Sequence, residues 1–375
     1  MTAPPAPTEV IPLFKVFMAP PAAVMPRLQE VLYSGQIGEG EAVAAFERRF
    51  GEFLGNPRVL SCSSGTAALH LALLLAGVGP GDEVVSTAMT AEPTNLAIRH
   101  AGATPRWADV DPMTGNVTGE SVAAALSPRT RAILVVHYGG IPAPLDAIHA
   151  VAARHGLPVI EDAAHALGAR WRGRPIGTLS PFTMFSLQAI KHLTTVDGGM
   201  LALADESLLP RGRRLRWFGI DRAASRTDVD VAEVGFKYHM NNVNATLGLV
   251  QIEHVAPMIA RHVANGRWFD AAFDALARSG SGVERCRVAA EAEPAYWFYT
   301  LLCDDAEGLS RHLDAHGIGN SKAHKRNDRH SVFAASRVEL PGLDRFYARM
   351  LHLPCGWWVD EAARERIVDV VRRGW

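Results

Sequence analysis

The chain has 375 residues, 48% hydrophobic, 21% charged and 7% aromatic, enough apolar material for two or three domains at roughly 150 residues each. Its 38 Lys and Arg nearly balance 39 Asp and Glu, leaving a net charge of −1. That balance argues against a polybasic binder of nucleic acid or membrane surface, and the apolar content excludes disorder throughout.

The first 20 residues are rich in Pro and Ala and read as an arm outside the core. MTAPPAPTEVIPLFKVF lacks the basic start of a signal peptide. No apolar run reaches the roughly 18 residues of a membrane helix, so a cytoplasmic setting is expected. From Arg58 short β-rich runs alternate with helical stretches. The expected strands are Arg58–Ser61, Glu83–Thr87, Thr104–Val110, Ala132–His137, Pro158–Asp162, Thr183–Leu187 and Gly199–Leu203. Between them lie helices over Thr66–Ala76, Ala91–His100, Gly119–Leu126, Leu145–His155 and Glu206–Trp217. Continuous apolar strands in βα alternation predict an α/β fold with a mainly parallel seven-stranded sheet covered on both faces. Beyond Met240 a long helix, Asn241–Ser279, leads to fewer strands, near Trp297–Leu302, and to a terminal helix from Glu361. The expected organisation is an arm (1–20), a large domain (21–253) and a smaller α+β C-terminal domain (254–375).

Three segments could carry chemistry. Ser63-Ser64-Gly65-Thr66 lies between a strand and a helix, where free N–H groups and hydroxyls suit a phosphate. The same residues also make an ordinary helix cap, and neither GxxxxGK[ST] nor GxGxxG is present. Asp162, in Val159-Ile160-Glu161-Asp162, sits at the C-terminal end of a buried parallel strand, where α/β sheets bind ligands. A turn or capping role is the plainer alternative, as it is for Asp109 and Asp111. Lys191 lies in a mostly apolar strand–turn–strand segment; burial there would lower its pKa and leave a nucleophilic amine able to form a Schiff base. Otherwise it is a surface lysine. The four cysteines are far apart and the histidines lack ligand spacing, so no metal site is expected. Cys62 reads as a small buried filler, and Trp217-Phe218 and Trp357-Trp358 as packing residues.

A phosphate loop, a strand-end aspartate and a buried lysine, in that order, meet the needs of pyridoxal phosphate. SSGTAAL, IEDAAHALGA, FSLQAIKHLTTVDGGM and GFKYHMNNVNATLGLVQIE, spanning 61–253, resemble the motifs of the DegT/StrS sugar aminotransferase family, which has the aspartate-aminotransferase fold. The resemblance implies Lys191 as Schiff-base lysine and proton carrier, and Asp162 as partner of the ring nitrogen. It implies His165 beside the ring and its 3-hydroxyl, and Ser64, Gly65, Thr66 and Ser186 around the phosphate. It also implies a homodimer whose partner completes the phosphate cup from the GFKYHMNN segment. The family's usual Asn is absent at both Lys237 and His239; His239 is preferred here. The aromatic that often covers the ring is replaced by Ala91. His324, Lys325 and Arg326, in HKRND, are candidate contacts to a substrate diphosphate or carboxylate.

The expected activity is amino transfer from glutamate to a keto sugar, foremost a nucleotide-linked 4-keto-6-deoxyhexose, in a ping-pong cycle. The alternatives are a ketocyclitol aminotransferase, as in aminoglycoside pathways, and a pyridoxal-phosphate-binding regulatory protein without turnover.

Overall fold

The computed structural model describes residues 9–222, 224–225 and 227–375. The strands are β1 (Val59–Cys62), β2 (Glu83–Ser86), β3 (Thr104–Trp107), β4 (Thr130–Val136), β5 (Val159–Asp162), β6 (Arg170–Trp171), β7 (Arg174–Pro175), β8 (Phe182–Ser186), β9 (Gly199–Leu203), β10 (Val283–Arg285), β11 (Ala292–Glu293), β12 (Tyr299–Cys303) and β13 (Met350–Leu353). The α-helices are α1 (Pro21–Tyr33), α2 (Glu41–Leu54), α3 (Gly65–Leu75), α4 (Glu92–His100), α5 (Gly119–Ala125), α6 (Leu145–His155), α7 (Leu209–Leu215), α8 (Asn242–Arg278), α9 (Ala306–Ala315), α10 (Pro341–Arg349) and α11 (Glu361–Arg372).

Seven strands form the central sheet in the order β1-β9-β8-β5-β4-β2-β3. The pairs from β8 to β3 are parallel, while β9 runs antiparallel to both β1 and β8. The seven expected strands are thus present with modest changes of end. The third is shorter than expected, closing at Trp107 rather than Val110. Val110 instead turns back to bridge Val117. β1, β2, β5 and β9 are buried along their whole length. Fully burying each Val, Leu or Ile contributes about 1.5–3 kcal/mol.

Helix α3, GTAALHLALLL, is apolar nearly all round because it is enclosed on nearly every side, packing on β8, β9 and α4. Two helices that the strand–helix alternation did not reveal, α1 and α2, precede the sheet. In α2 the spacing of Val43, Phe46, Phe50 and Leu54 makes one apolar stripe, which packs against α8. The expected helix over Glu206–Trp217 is split into a 3₁₀ turn, Glu206–Leu208, and α7, with Pro210 in the first turn of α7.

Asn241 caps α8, its side-chain oxygen accepting the Asn244 N–H at 2.9 Å. This helix meets α1 and α2 at one end and β10 and α11 at the other. The division we propose, between 253 and 254, falls inside it. β10-β12-β13 form a second sheet, and β11 pairs with β6, tying the C-terminal part to the larger one.

Of the expected arm, residues 1–8 lie outside the described residues. Residues 9–20 contain no helix but are not wholly outside the core as expected: Ile11 and Ala19 are buried, and the Ala19 N–H donates to Gln251 Oε1 of α8 at 2.7 Å. Ile11 bridges Ile318, and the Trp358 indole N–H donates to the Pro12 carbonyl at 2.8 Å.

Candidate active site

The site is assembled at the C-terminal ends of β5 and β8 and the N-terminus of α3. Ser64 is the N-cap of α3, and its Oγ accepts the Ala67 N–H at 3.0 Å. The first-turn N–H groups that follow have no acceptor within the helix, which makes this end a natural seat for an anion. Two glycines allow the backbones to meet. A Cβ on Gly65 would lie 3.1 Å from the Met184 sulfur, and one on Gly199 would lie 2.3 Å from the Ser64 carbonyl oxygen.

Asp162 ends β5 and is buried. Its Oδ2 accepts the Thr94 hydroxyl at 2.7 Å and its Oδ1 accepts the Ala164 N–H at 3.0 Å. Burial raises its pKa, while Thr94, Ala164 and the nearby Lys191 pull the other way. On the neighbouring residue, Glu161 Oε2 accepts from His137 Nε2 at 2.7 Å. The His137 proton is on Nε2 because Nδ1 accepts the Ala143 N–H at 3.0 Å. This buried pair and the bond from the His137 N–H to the Asp162 carbonyl, 3.1 Å, fix the strand end.

Lys191 stands in the turn between β8 and β9. Its N–H donates to the Gln188 carbonyl at 3.0 Å, and the turn closes through Thr195 N–H to Leu187 O at 3.0 Å. Burial brings the Lys191 amine down to about 7, opposed by the Asp162 charge. The side chain retains some accessible surface. Its amine lies 3.6 Å from the centroid of a Trp297 ring.

These groups face one cavity of about 390 Å³. Ser64, Gly65, Thr66, Asp162, His165, Ser186, Lys191 and His324 all line it, as do Ala91, Thr94 and Trp297. A larger cleft of about 670 Å³, lined by residues of α5 and α6, is mostly apolar. It brings no lysine or strand-end carboxylate together, so size does not decide the site.

The cavity wall carries the aromatic surface that Ala91 does not provide. His165 stacks on Trp297 at 3.9 Å and 16°, and His324 lies parallel to His165 at 5.6 Å. Burial and the nearby lysine hold His165 well below the usual imidazole range. Its Nδ1 and the His324 Nε2 are buried without a hydrogen-bond partner among the described residues.

Other expected residues lie elsewhere. Lys325 is exposed and does not line the cavity. Arg326 is buried, paired in a two-pronged contact with Asp328 at 2.8 and 2.9 Å and also with Asp344. Its cation is already matched within the protein, so this placement does not support the expected substrate contact.

His239 and Lys237 do not line the cavity of their own chain. His239 bridges Cys62 on the outer strand, and its ring sits 4.2 Å from Trp217. Trp358 packs as expected, but Phe218 is 41% exposed. Cys62 is a buried free thiol, and burial pushes it up to about 12, in keeping with a filler.

Sequence reasoning missed Thr94, Trp297 and the pair Asn95–Asn327. The Asn95 amide donates to Asn327 Oδ1 at 2.9 Å, and the Asn327 amide donates to the Thr90 carbonyl at 2.8 Å. Together they pin the HKRND loop to the segment beneath the cavity. Thr94 lies within the stretch considered for a ring-covering aromatic, and a hydroxyl one helical turn from Thr90 was its only local signal.

A parallel sheet with a lysine, a carboxylate and a helix N-terminus around one cavity defines an aminotransferase-type site. The DegT/DnrJ/EryC1/StrS aminotransferase family profile matches residues 22–372, and the chain belongs to that family. It is 38% identical to the GDP-perosamine synthase of Caulobacter vibrioides over 286 residues, covering 74% of this chain and 75% of that one. It is 34% identical to the spore coat polysaccharide biosynthesis protein SpsC of Bacillus subtilis over 361 residues, 92% of each. The crystal structure of sugar aminotransferase CalS13 from Micromonospora echinospora superposes with a TM-score of 0.92 at 42% identity, covering 97% of this chain and all of that one. The protein is therefore a sugar aminotransferase, and pyridoxal phosphate is its cofactor. The residues present suit that group: a helix N-terminus with N–H and hydroxyl donors for a phosphate, a carboxylate for a ring nitrogen, an amine for an aldehyde and unpartnered imidazole nitrogens alongside.

Proposed function

We propose that the enzyme transfers the amino group of glutamate to a nucleotide-linked 4-keto-6-deoxyhexose, in two half-reactions at one cytoplasmic site. The observation that carries this reading is the convergence of Lys191, Asp162 and the α3 N-terminus on one cavity. Pyridoxal phosphate, when bound, supplies an electron sink for the carbon that gains or loses nitrogen. Ser64, Gly65, Thr66 and Ser186 hold its phosphate through N–H and hydroxyl donors. Asp162 keeps a proton on the ring nitrogen, and neutral His165 offers a hydrogen bond beside the ring. The Lys191 amine, neutral above about pH 7, takes a proton at Nζ and returns it. His324, which lines the same cavity, would contact the substrate.

The family and its named relatives support a sugar acceptor. A panel of keto-sugar nucleotides and free ketocyclitols, incubated with glutamate or glutamine and read by mass spectrometry, tests the choice. A nucleotide-linked amino sugar formed with glutamate is the expected product. Amination of ketocyclitols alone, or no product from any nucleotide-linked keto sugar in the panel, would overturn the proposed acceptor.

The same reading includes a homodimer with shared sites, His239 of one chain completing the partner's phosphate cup. Exposed apolar residues support it. Ile37 and Val196 are 53% and 50% exposed. They flank the start of α8, where Asn242 bonds the Ile37 carbonyl and Asn244 bonds the Thr195 and Asp197 carbonyls. Mixing inactive Lys191→Ala chains with inactive chains altered at Lys237 and His239 is expected to restore part of the activity, through heterodimers with one intact site. A fully active monomer in sedimentation at assay concentration would refute shared sites.

A further inference from the structure

We propose that Trp297 is the positioning residue for Lys191: its indole N–H fixes the lysine-bearing turn, and its ring face holds the free amine toward the cavity. This rests on Lys191 being the cofactor-bearing lysine. Trp297 Nε1 donates to the Ile190 carbonyl, immediately before the lysine, at 2.9 Å, and the amine lies 3.6 Å from the ring centroid. One side chain from the C-terminal part thus grips both the backbone and the head of a flexible residue. Lysine has a long stem with many rotamers, and a turn with so few backbone bonds does not choose among them.

Trp297 is itself held rigidly. Its main-chain N–H donates to the Gly139 carbonyl at 3.0 Å. Phe14 of the arm stacks on it at 4.7 Å and 27°, and His165 at 3.9 Å. The preceding Tyr296 has a φ of +46°, a costly value for a bulky residue. Its hydroxyl is anchored to Asp270 Oδ2 at 2.5 Å and its carbonyl to His262 Nδ1 at 2.9 Å. The arm, far from the lysine in sequence, is in this way coupled to its orientation.

The indole also keeps water from the amine. The ionisable groups around Lys191 are Asp162 on β5, His165 just after it, His192 beside it, Asp197 on the far side of the turn and His324 from the C-terminal part. Removing the indole takes away none of these titratable groups, so a change in the titration of the amine reports on the loss of the indole and of the packing it provides.

The test uses the full-length protein stripped of cofactor, as wild type, Trp297→Phe and Trp297→Leu. Lys191 is labelled with a limiting amine-acylating reagent from neutral to alkaline pH, and the labelled peptide is quantified by mass. In Trp297→Leu the labelling midpoint should move up toward the ordinary lysine range as water reaches the amine. In Trp297→Phe, which retains a ring but loses the N–H, the midpoint should stay near the wild-type value. With cofactor restored, kcat should fall by on the order of 10- to 100-fold in both, with KM for glutamate nearly unchanged. Phe14→Ala should give a smaller fall of the same kind. Wild-type midpoint and kcat in Trp297→Leu would overturn the proposal. If Trp297→Leu does not fold, wild-type kcat in Trp297→Phe overturns it instead. Borohydride reduction of the loaded wild type separates the two ideas. Cofactor trapped on another lysine would remove the premise, whereas cofactor on Lys191 with unaffected variants would sink only the role of Trp297.

Discussion

Lys191→Ala is expected to abolish transamination while the protein folds and binds cofactor without a covalent bond. The FSLQAIKHLTT segment has one lysine, and among the described residues no other lysine lines the cavity. Loss of a positioned proton carrier alone lowers rates by roughly 10²–10⁴-fold, and here the covalent attachment goes as well. Steady-state assays and borohydride trapping check the result; substantial turnover, or cofactor trapped elsewhere, would show that the lysine is misassigned. The same variant has a pH signature without cofactor. The unfolded lysine binds its proton up to the ordinary 10.5, while burial lowers the folded value to about 7. Folded stability therefore rises with pH between those values, and the burial penalty is at its fullest below about 7. Lys191→Ala should flatten that part of the curve in denaturant titrations.

Asp162→Ala is expected to cut kcat/KM by several orders of magnitude. Without the carboxylate nothing holds the ring-nitrogen proton, and the ring becomes a poor electron sink. Removing one partner of a buried charge pair typically costs about 3–5 kcal/mol. If that loss falls wholly on the transition state, the rate drops by roughly 10²–10⁴-fold. Thr94 and the Ala164 N–H, which now face the carboxylate, would also lose their acceptor. Near-normal rates would show that the strand-end carboxylate has been misread.

The parts of the molecule legible in the sequence are those set by local pattern. Most of the seven expected strands were short, largely apolar runs, because a strand buried on both faces is mainly apolar; the outer strand β3, TPRW, instead alternates between buried and partly buried residues. The long helix expected over Asn241–Ser279 and the terminal one from Glu361 became α8 and α11, with Asn241 and Asp360 as their N-caps in the structure. Ser64, Asp162 and Lys191 were found because each sits where a strand meets a turn or helix, and the three chemistries make sense in that order.

What tertiary structure alone decided are the contacts between residues far apart in the chain. The bond from Thr94 to Asp162 spans 68 residues, and that from Asn95 to Asn327 spans 232. No local periodicity encodes such pairings. Trp297 stands in a run of aromatics, AYWFY, that reads as core until the fold places one ring against Lys191. Arg326 carries the charge of a substrate contact, yet Asp328 and Asp344 neutralise it once the loop is packed. Residue types and their local spacing determined the elements and the chemistry available. Only burial, which fixes how each polar group is solvated and paired, decided which of those residues are free to use it.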